Sequence, residues 1–303
     1  MTNPTPPPKF GNIVDGKYVW NQGKDLPKYF NDGNDFIKQY LPHGVPGIYE
    51  YYMGDNEKKL EDSLKKMSPN WKYAKKKVEY TLNTLGFRGP EFDTHNWSES
   101  IVVVGCSCVF GVGVSDDETI THYLSKITGR NVINLGVPGG SNQYLLDTTL
   151  TMLRKYGSPY SMIMMWTTMD RLPYYGDSEL YHIGLWNHII NSNDVNSYRH
   201  KEIFDNFYEE KGHENVTFFN IVEAMRAVWK DKTKYFEGSF FEPSAHYGRL
   251  PDYFPFSNTA RDLLHPGAFD HKKTAEEITE HCLKLYGKDY LQPGGLGLNP
   301  RFL

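Results

Sequence analysis

Residues 101–124 read IVVVGCSCVFGVGVSDDETITHYL, and their pattern decides the fold class. Ile101 to Val104 is an unbroken, mostly β-branched apolar run, as expected of a strand covered on both faces rather than one with a wet side. Gly105-Cys106-Ser107 then makes a tight polar turn. Ser115 and Glu118 stand at capping-box spacing, and Ile120, Tyr123, Leu124 and Ile127 line one helical face. The same alternation continues downstream. Val132 to Leu135 predicts a second strand, Leu146, Leu150 and Leu153 a second helix, and Met162 to Trp166 a third strand. A βαβαβ order predicts a parallel sheet with helices on both faces.

Beyond Pro173 the periodicity weakens. Helices are expected over 200–210 and 219–230, and a strand over Tyr235 to Phe240. A final helix should carry Ala275, Ile278, Cys282 and Leu285 on one face. Upstream, the composition changes near residue 95. Pro6-Pro7-Pro8 predicts an extended arm, because proline removes donors and disfavours helix. Leu60, Leu64 and Met67 predict a short amphipathic helix over 56–68, and Val78 to Leu82 alternates like a strand. The expected organisation is an N-terminal arm and accessory region over 1–95, packing on an α/β domain over 96–290, with an irregular tail over 291–303.

The 303 residues carry a formal net charge of -4 from 33 basic and 37 acidic side chains, which gives no bulk attraction for a phosphate backbone. Lys75-Lys76-Lys77 is the longest basic run and reads as a solvated helix face. No apolar segment is long enough to cross a bilayer, and MTNPTPPPKF lacks the apolar core of a secretion signal. The expectation is a soluble chain with no nucleic-acid or membrane partner. Cys106, Cys108 and Cys282 are odd in number and two of them nearly adjacent, which predicts free buried thiols rather than a disulfide scaffold. No Cys/His cluster has zinc-site spacing.

Four loops carry candidate chemistry. Ser107 follows the first strand, where ligands meet mobile loops in open α/β sheets and where its own N–H can face developing negative charge. A glycine-rich structural turn fits the same residues. The nearby Gly111-Val112-Gly113 lacks the spacing of a dinucleotide fingerprint. Asp262-Leu263-Leu264-His265-Pro266 precedes the last helix. An aspartate there can orient one imidazole nitrogen and leave the other free to take a serine proton, or it can simply cap the local backbone. Gly139 and Asn142, after the second strand, offer an unhindered N–H and a side-chain amide, or a capped turn into the next helix. Trp166-Thr167-Thr168-Met169-Asp170-Arg171 follows the third strand.

Together these segments resemble the SGNH, or GDSL-like, hydrolase family. The resemblance covers residues 84 to 287 and runs through TLGFRGPEF (84–92), the Gly105-Cys106-Ser107 turn, NLGVPGGSNQ and Asp262-x-x-His265. It implies a three-layer α/β/α sandwich with a flavodoxin-like parallel sheet. It also implies a catalytic Ser107, His265 and Asp262, an oxyanion site built on Ser107 and Gly139, and no metal or organic cofactor. Two positions depart from the family pattern. Cys106 replaces the usual aspartate of the first block, and Met169 stands where the third block has an asparagine donor. A thioether cannot donate a hydrogen bond, so Asn142, with Thr167 or Thr168 as the weaker choice, is expected to substitute.

The function expected from this resemblance is a serine esterase or deacetylase acting on an ester, such as a small acyl group on a carbohydrate. A related acyltransferase is a minor variant. The alternative is a binding or structural protein on the same fold, favoured by the added N-terminal region and by 22 Tyr and 17 Phe. WTTMDR is similar to forms in phage-encoded relatives, which implies a tail or baseplate component with virion protein partners or a homo-oligomer. The chain would then reside in the virion rather than the cytoplasm.

Overall fold

The computed structural model describes residues 11–14, 17–20, 41–42, 45–175, 180–185, 200–205, 211–241, 252–293 and 295. The proline run, residues 206–210 of one expected helix and most of the expected tail lie outside the described residues.

Toward the N-terminus lie β1 (Gly11–Val14), β2 (Lys17–Trp20), β3 (Gly47–Tyr49), α1 (Glu57–Leu64) and β4 (Tyr80–Leu82). β1 pairs antiparallel with β2, and β3 with β4. α1 is shorter than the periodicity predicts. Asn56 caps it by accepting from the Lys59 N–H at 2.9 Å, and the chain turns before Pro69, which cannot extend a helix. Leu64 is 42% exposed, so the expected apolar face is only partly covered.

The central region follows the predicted alternation: β5 (Ile101–Gly105), α2 (Ser107–Phe110), α3 (Ile120–Thr128), β6 (Val132–Gly136), α4 (Asn142–Tyr156) and β7 (Ser161–Trp166). The Ser115–Glu118 capping box forms just ahead of α3. An antiparallel ribbon, β8 (Leu172–Tyr175) and β9 (Leu180–Ile183), interrupts the pattern. Residues 200–205 are helical. Then come α5 (Lys211–Trp229), β10 (Lys234–Ser239), β11 (Asp252–Tyr253) and α6 (Ala268–Tyr286). α5 begins well before residue 219, where a helix was expected.

β6, β5, β7, β10 and β11, in that spatial order, form one parallel sheet. Numbered along the chain this is the 2-1-3-4-5 order of a flavodoxin-like sheet. Strand alternation divides its side chains between two layers. Val102, Val104, Met162 and Met164 meet Leu145 and Met152 of α4 and Met225 and Trp229 of α5. Ile101, Val103, Ile163 and Met165 meet Leu124 of α3 and Ala275, Ile278 and Cys282 of α6. Each large apolar side chain buried this way contributes about 1.5–3 kcal/mol of transfer free energy. Leu285 departs from the expected face: it is 64% exposed, because Leu283 and Tyr286 take the packing positions of the last turn. A third cluster joins Tyr73, Val78, Tyr80 and Leu82 to Phe110, Val112, Val114 and Ala260. It lays the segment before β5 against the turn that follows it.

Parallel register places Gly105 opposite Gly136, and Val104 opposite Met164. The loops carrying Ser107, Gly139 and Thr167 therefore leave the same, carboxyl edge of the sheet.

Candidate active site

Ser107 is the first residue of α2, and its side chain is almost enclosed, with the residue 7% exposed. Its carbonyl accepts from the N–H groups of Gly111 and Val112 at 3.0 and 3.1 Å, which fixes the turn on which it sits. The Asp262–His265 turn reaches it from 158 residues away in sequence. The Ser107 hydroxyl lies 2.8 Å from His265 Nε2. On the far side of the ring, His265 Nδ1 lies 2.6 Å from Asp262 Oδ2.

The carboxylate also builds the turn that presents the histidine. Asp262 Oδ1 accepts from the N–H groups of Leu264 and His265 at 3.0 and 3.2 Å, leaving Oδ2 for the imidazole. Burial raises the Asp262 pKa, but the hydrogen bond and charge of His265, aided by those two amides, outweigh it and hold the carboxyl below its ordinary value. An ionised Asp262 accepts from Nδ1–H, so the Nε2 lone pair faces the serine hydroxyl. Leu263 takes the left-handed conformation, φ 59°, to close this turn. Backbone bonds from Ala260 to the His265 carbonyl (2.8 Å) and from Gly267 to the Asn258 carbonyl (2.7 Å) seal its base. Asp270, in the first turn of α6, accepts from the Ser257 and Asn258 N–H groups at 3.0 and 2.7 Å.

Gly139 belongs to the turn Val137-Pro138-Gly139-Gly140, closed by the Gly140 N–H on the Val137 carbonyl at 2.9 Å. Its φ of 77° is the positive value that the third residue of a type II turn demands, and the proline before it supplies the matching φ. His182 of β9 packs over this glycine, its Cβ 3.4 Å from where a Gly139 side chain would begin. Burial, reinforced by the charge of Arg171, lowers the His182 pKa to about 4, so the ring is neutral near pH 7.

Asn142 departs from its expected position as a free donor. It is the first residue of α4, and Ser141 is the cap, accepting from the Tyr144 N–H at 3.2 Å. Both ends of the Asn142 amide hold the loop after β7. Nδ2 donates to the Thr167 carbonyl at 3.1 Å, with that of Thr168 at 3.5 Å, while Oδ1 accepts from the Thr167 N–H at 3.0 Å. The physical reason is geometric: the carboxyl end of β7 brings its unpaired backbone groups within reach of the α4 N-terminus. Bracing of the loop after β7 is the role this geometry supports. The Thr167 side chain is buried. Asp170 accepts from the Leu185 N–H at 3.1 Å. Met169 and Arg171 line a cavity of about 270 Å³ with Asn142 and Phe218.

Cys106, Cys108 and Cys282 are free and buried. The Ser107 hydroxyl is 3.9 Å from the Cys106 sulfur, far looser than its contact with His265. The hydrogen bond to Cys106 and burial push the Cys108 thiol well up, which makes it a poor nucleophile. No group of three or more His, Cys, Asp and Glu side chains among the described residues is arranged to hold a metal ion. No described helix is long and apolar enough to cross a membrane. Two parts of this corner carried no motif in the sequence. His182 arrives on the unpredicted β8–β9 ribbon, and Arg261, beside Asp262, pairs with Asp55 from 206 residues away.

No family model matches the chain, and no curated protein matches it. Solved structures are similar in part. An acetyl xylan esterase from the rumen bacterium Butyrivibrio proteoclasticus shares 12% identity, covering 66% of this chain and 66% of its own, at a TM-score of 0.37. A carbohydrate acetylesterase family member from Sinorhizobium meliloti shares 11%, covering 61% and 99%, at 0.31. A G-D-S-L family protein from Desulfitobacterium hafniense DCB-2 shares 14%, covering 60% and 98%, at 0.29. This chain's own strand order, with Ser107 after the first sheet strand and the Asp262–His265 turn before the terminal helix, gives a flavodoxin-like parallel α/β fold, as the sequence resemblance implies.

Proposed function

We propose that the protein is a serine esterase, and the observation that carries this reading is the unbroken relay Asp262–His265–Ser107 with contacts of 2.6 and 2.8 Å. In this mechanism Ser107 Oγ attacks the ester carbonyl while His265 Nε2 takes its proton. The N–H groups of Ser107 and Gly139 receive the oxyanion. Collapse of the tetrahedral intermediate breaks the bond to the alcohol, which leaves with the proton held by His265. Water then attacks the acyl-enzyme, giving its proton to His265, and the second collapse returns that proton to Ser107 and frees the acid. Ionised Asp262 stabilises the imidazolium in both halves of the cycle.

With the Asn142 amide engaged by the loop after β7, the oxyanion site consists of two backbone donors. Absence of a third donor costs about 3–4 kcal/mol, or roughly 10²–10³ in rate, so turnover is slow for this class. The sequence resemblance supports a small acyl group on a carbohydrate as the substrate class.

The test is hydrolysis of an activated short-chain ester by the full chain and by Ser107→Ala, with circular dichroism to verify folding. Turnover should fall by about 10³-fold or more. A fluorophosphonate should label the wild type at Ser107, located by mass spectrometry. A folded Ser107→Ala protein that hydrolyses the ester at the wild-type rate overturns the reading.

A further inference from the structure

Behind the Asp262–His265 turn lies a buried ion pair that the relay itself does not use. Arg261 and Asp55 are each 1% exposed. Arg261 Nη2 donates to Asp55 Oδ2 at 2.6 Å, and Nε lies 3.2 Å from both carboxylate oxygens. The same Nη2 donates to the Glu50 carbonyl at 2.5 Å. The Tyr80 hydroxyl donates to Asp55 Oδ2 and accepts from the Gly113 N–H at 2.8 Å. The Gly113 carbonyl in turn accepts from the Arg261 N–H at 3.0 Å. One network thus joins Asp55 and Tyr80, the loop that continues from Ser107, and the residue adjoining Asp262.

The contact is close as well as polar. Gly113 has φ +81°, and a side chain there would begin 2.7 Å from the Ala260 Cβ and 3.0 Å from the Arg261 nitrogen. Only a bare backbone fits between the two loops. The backbone is also strained on both sides of the ion pair. Among the described residues, Met53 and Leu263 are the non-glycine residues with positive φ, and they stand two positions before Asp55 and two after Arg261. Such conformations persist where the surroundings over-determine them. Stability alone does not call for a buried ion pair, since apolar packing of similar volume commonly serves as well or better. What a fully hydrogen-bonded pair adds is a fixed direction and distance.

We propose that Asp55 is a positioning residue for catalysis: through Arg261 and Tyr80 it holds the Asp262–His265 turn in register with the Ser107 loop. The segment before β5 is then part of the catalytic assembly. This proposal rests on the esterase reading given above.

The experiment compares full-length wild type, Tyr80→Phe, Asp55→Asn and the paired replacement Asp55→Leu/Arg261→Met, with Ser107→Ala as a control. Three quantities are followed: thermal midpoint, single-turnover acylation by an activated ester, and the downfield proton resonance of His265 Nδ1–H. Tyr80→Phe should fold, lose roughly 10- to 100-fold in acylation rate with substrate affinity nearly unchanged, and shift or broaden the His265 resonance. Asp55→Asn should do the same more severely. The paired replacement should regain thermal stability, because no charge is left buried alone, while acylation stays slow. Wild-type acylation and resonance in folded Tyr80→Phe would overturn the proposal, as would activity that returns with stability in the paired replacement. Should Asp55→Asn not fold, those two variants decide. Undiminished turnover in Ser107→Ala would instead remove the esterase reading, and the His265 resonance would still report whether Asp55 orients the ring.

Discussion

The turn carrying Asp262 and His265 and the loop after β7 meet the same sheet edge but use their polar groups in opposite ways. In the turn, Asp262 satisfies two backbone amides with one oxygen and the imidazole with the other, so the bonds that build the turn and the bond that orients the ring share one carboxylate. In the loop, Asn142 gives both ends of its amide to the backbone of Thr167 and Thr168. Asp170 likewise faces the Leu185 N–H rather than the histidine. The difference teaches that polar side chains at one sheet edge can serve a neighbouring ring in one loop and only brace backbone in the next. In the esterase proposed above, proton transfer would use the Asp262–His265 turn, and charge stabilisation would fall to backbone groups.

The sharpest way to break this contrast is His265→Ala. If the turn is the chemical half of the site, ester turnover should fall by about 10³-fold or more in a folded protein. Cys108→Ser should leave most of the rate, because that thiol is buried and pushed up in pKa. Steady-state hydrolysis of an activated ester checks both. A larger loss at Cys108 than at Ser107 would move the nucleophile from the serine to the cysteine.

The loop half is tested by Asn142→Ala. It leaves the Thr167 N–H and carbonyl unpaired in a buried setting, each at a cost of about 1–3 kcal/mol. The thermal midpoint should therefore drop, and acylation should slow through displacement of the loop. Thr168→Ala should change either quantity far less. Normal stability together with slow acylation would identify Asn142 as a direct oxyanion donor and reverse the assignment made from its hydrogen bonds.

The contrast also explains what was legible in the sequence. Ser107 stood out because the β-branched run before it reads as a covered strand whose end defines a site edge, and its role was implied only by the resemblance of Gly105-Cys106-Ser107 to a family block. The contact between Asp262 and His265 was open to the sequence because it is made within three residues, and the resemblance to the family's Asp-x-x-His block chose it over simple capping. The role of Asn142 could not be read, since its partners are backbone groups on a strand end 25 residues away. Nothing local separates capping, bracing and donating when an asparagine starts a helix. The β8–β9 ribbon was missed because its strands, LPYY and LYHI, are only partly covered and lack clean alternation. The Asp55–Arg261 pair shows the same limit, as its meaning exists only after the chain folds back over 206 residues.

A milder test concerns acid. His271, in α6 just after the turn, is fully buried and accepts from the Ile120 N–H through Nδ1 at 3.2 Å. Burial, with the charge of Arg88, lowers its pKa from 6.5 to about 3. Between these values the unfolded chain binds a proton that the folded chain refuses. The stability linked to His271 is complete above about pH 6.5 and is lost as pH falls toward 3, by up to about 1.4 kcal/mol per pH unit. His271→Asn keeps an acceptor for Ile120 and removes the proton site. Urea midpoints from pH 7 to 4 should therefore fall less steeply in this variant. An equal fall would assign the acid sensitivity to other groups.

The smallest expected effect lies inside the turn itself, at Leu263. Its φ of 59° is one that a branched Cβ resists strongly and that asparagine and glycine accept. Leu263→Ile keeps the volume and changes only where the side chain branches, so any cost beyond repacking measures the backbone conformation. It should destabilise by about 1–2 kcal/mol and slow acylation, because relaxing φ would carry His265 away from Ser107. Leu263→Asn should retain the turn geometry and most of the acylation rate, although it gives up partly buried apolar surface. Leu263→Gly relieves the strain but adds freedom to the unfolded chain, so its net change should stay within about 1 kcal/mol. Thermal midpoints and single-turnover acylation rank the three variants. If Ile is accepted as readily as Asn, the left-handed residue is not what sets the Asp262–His265 geometry, and the hydrogen bonds of Asp262 alone hold the turn.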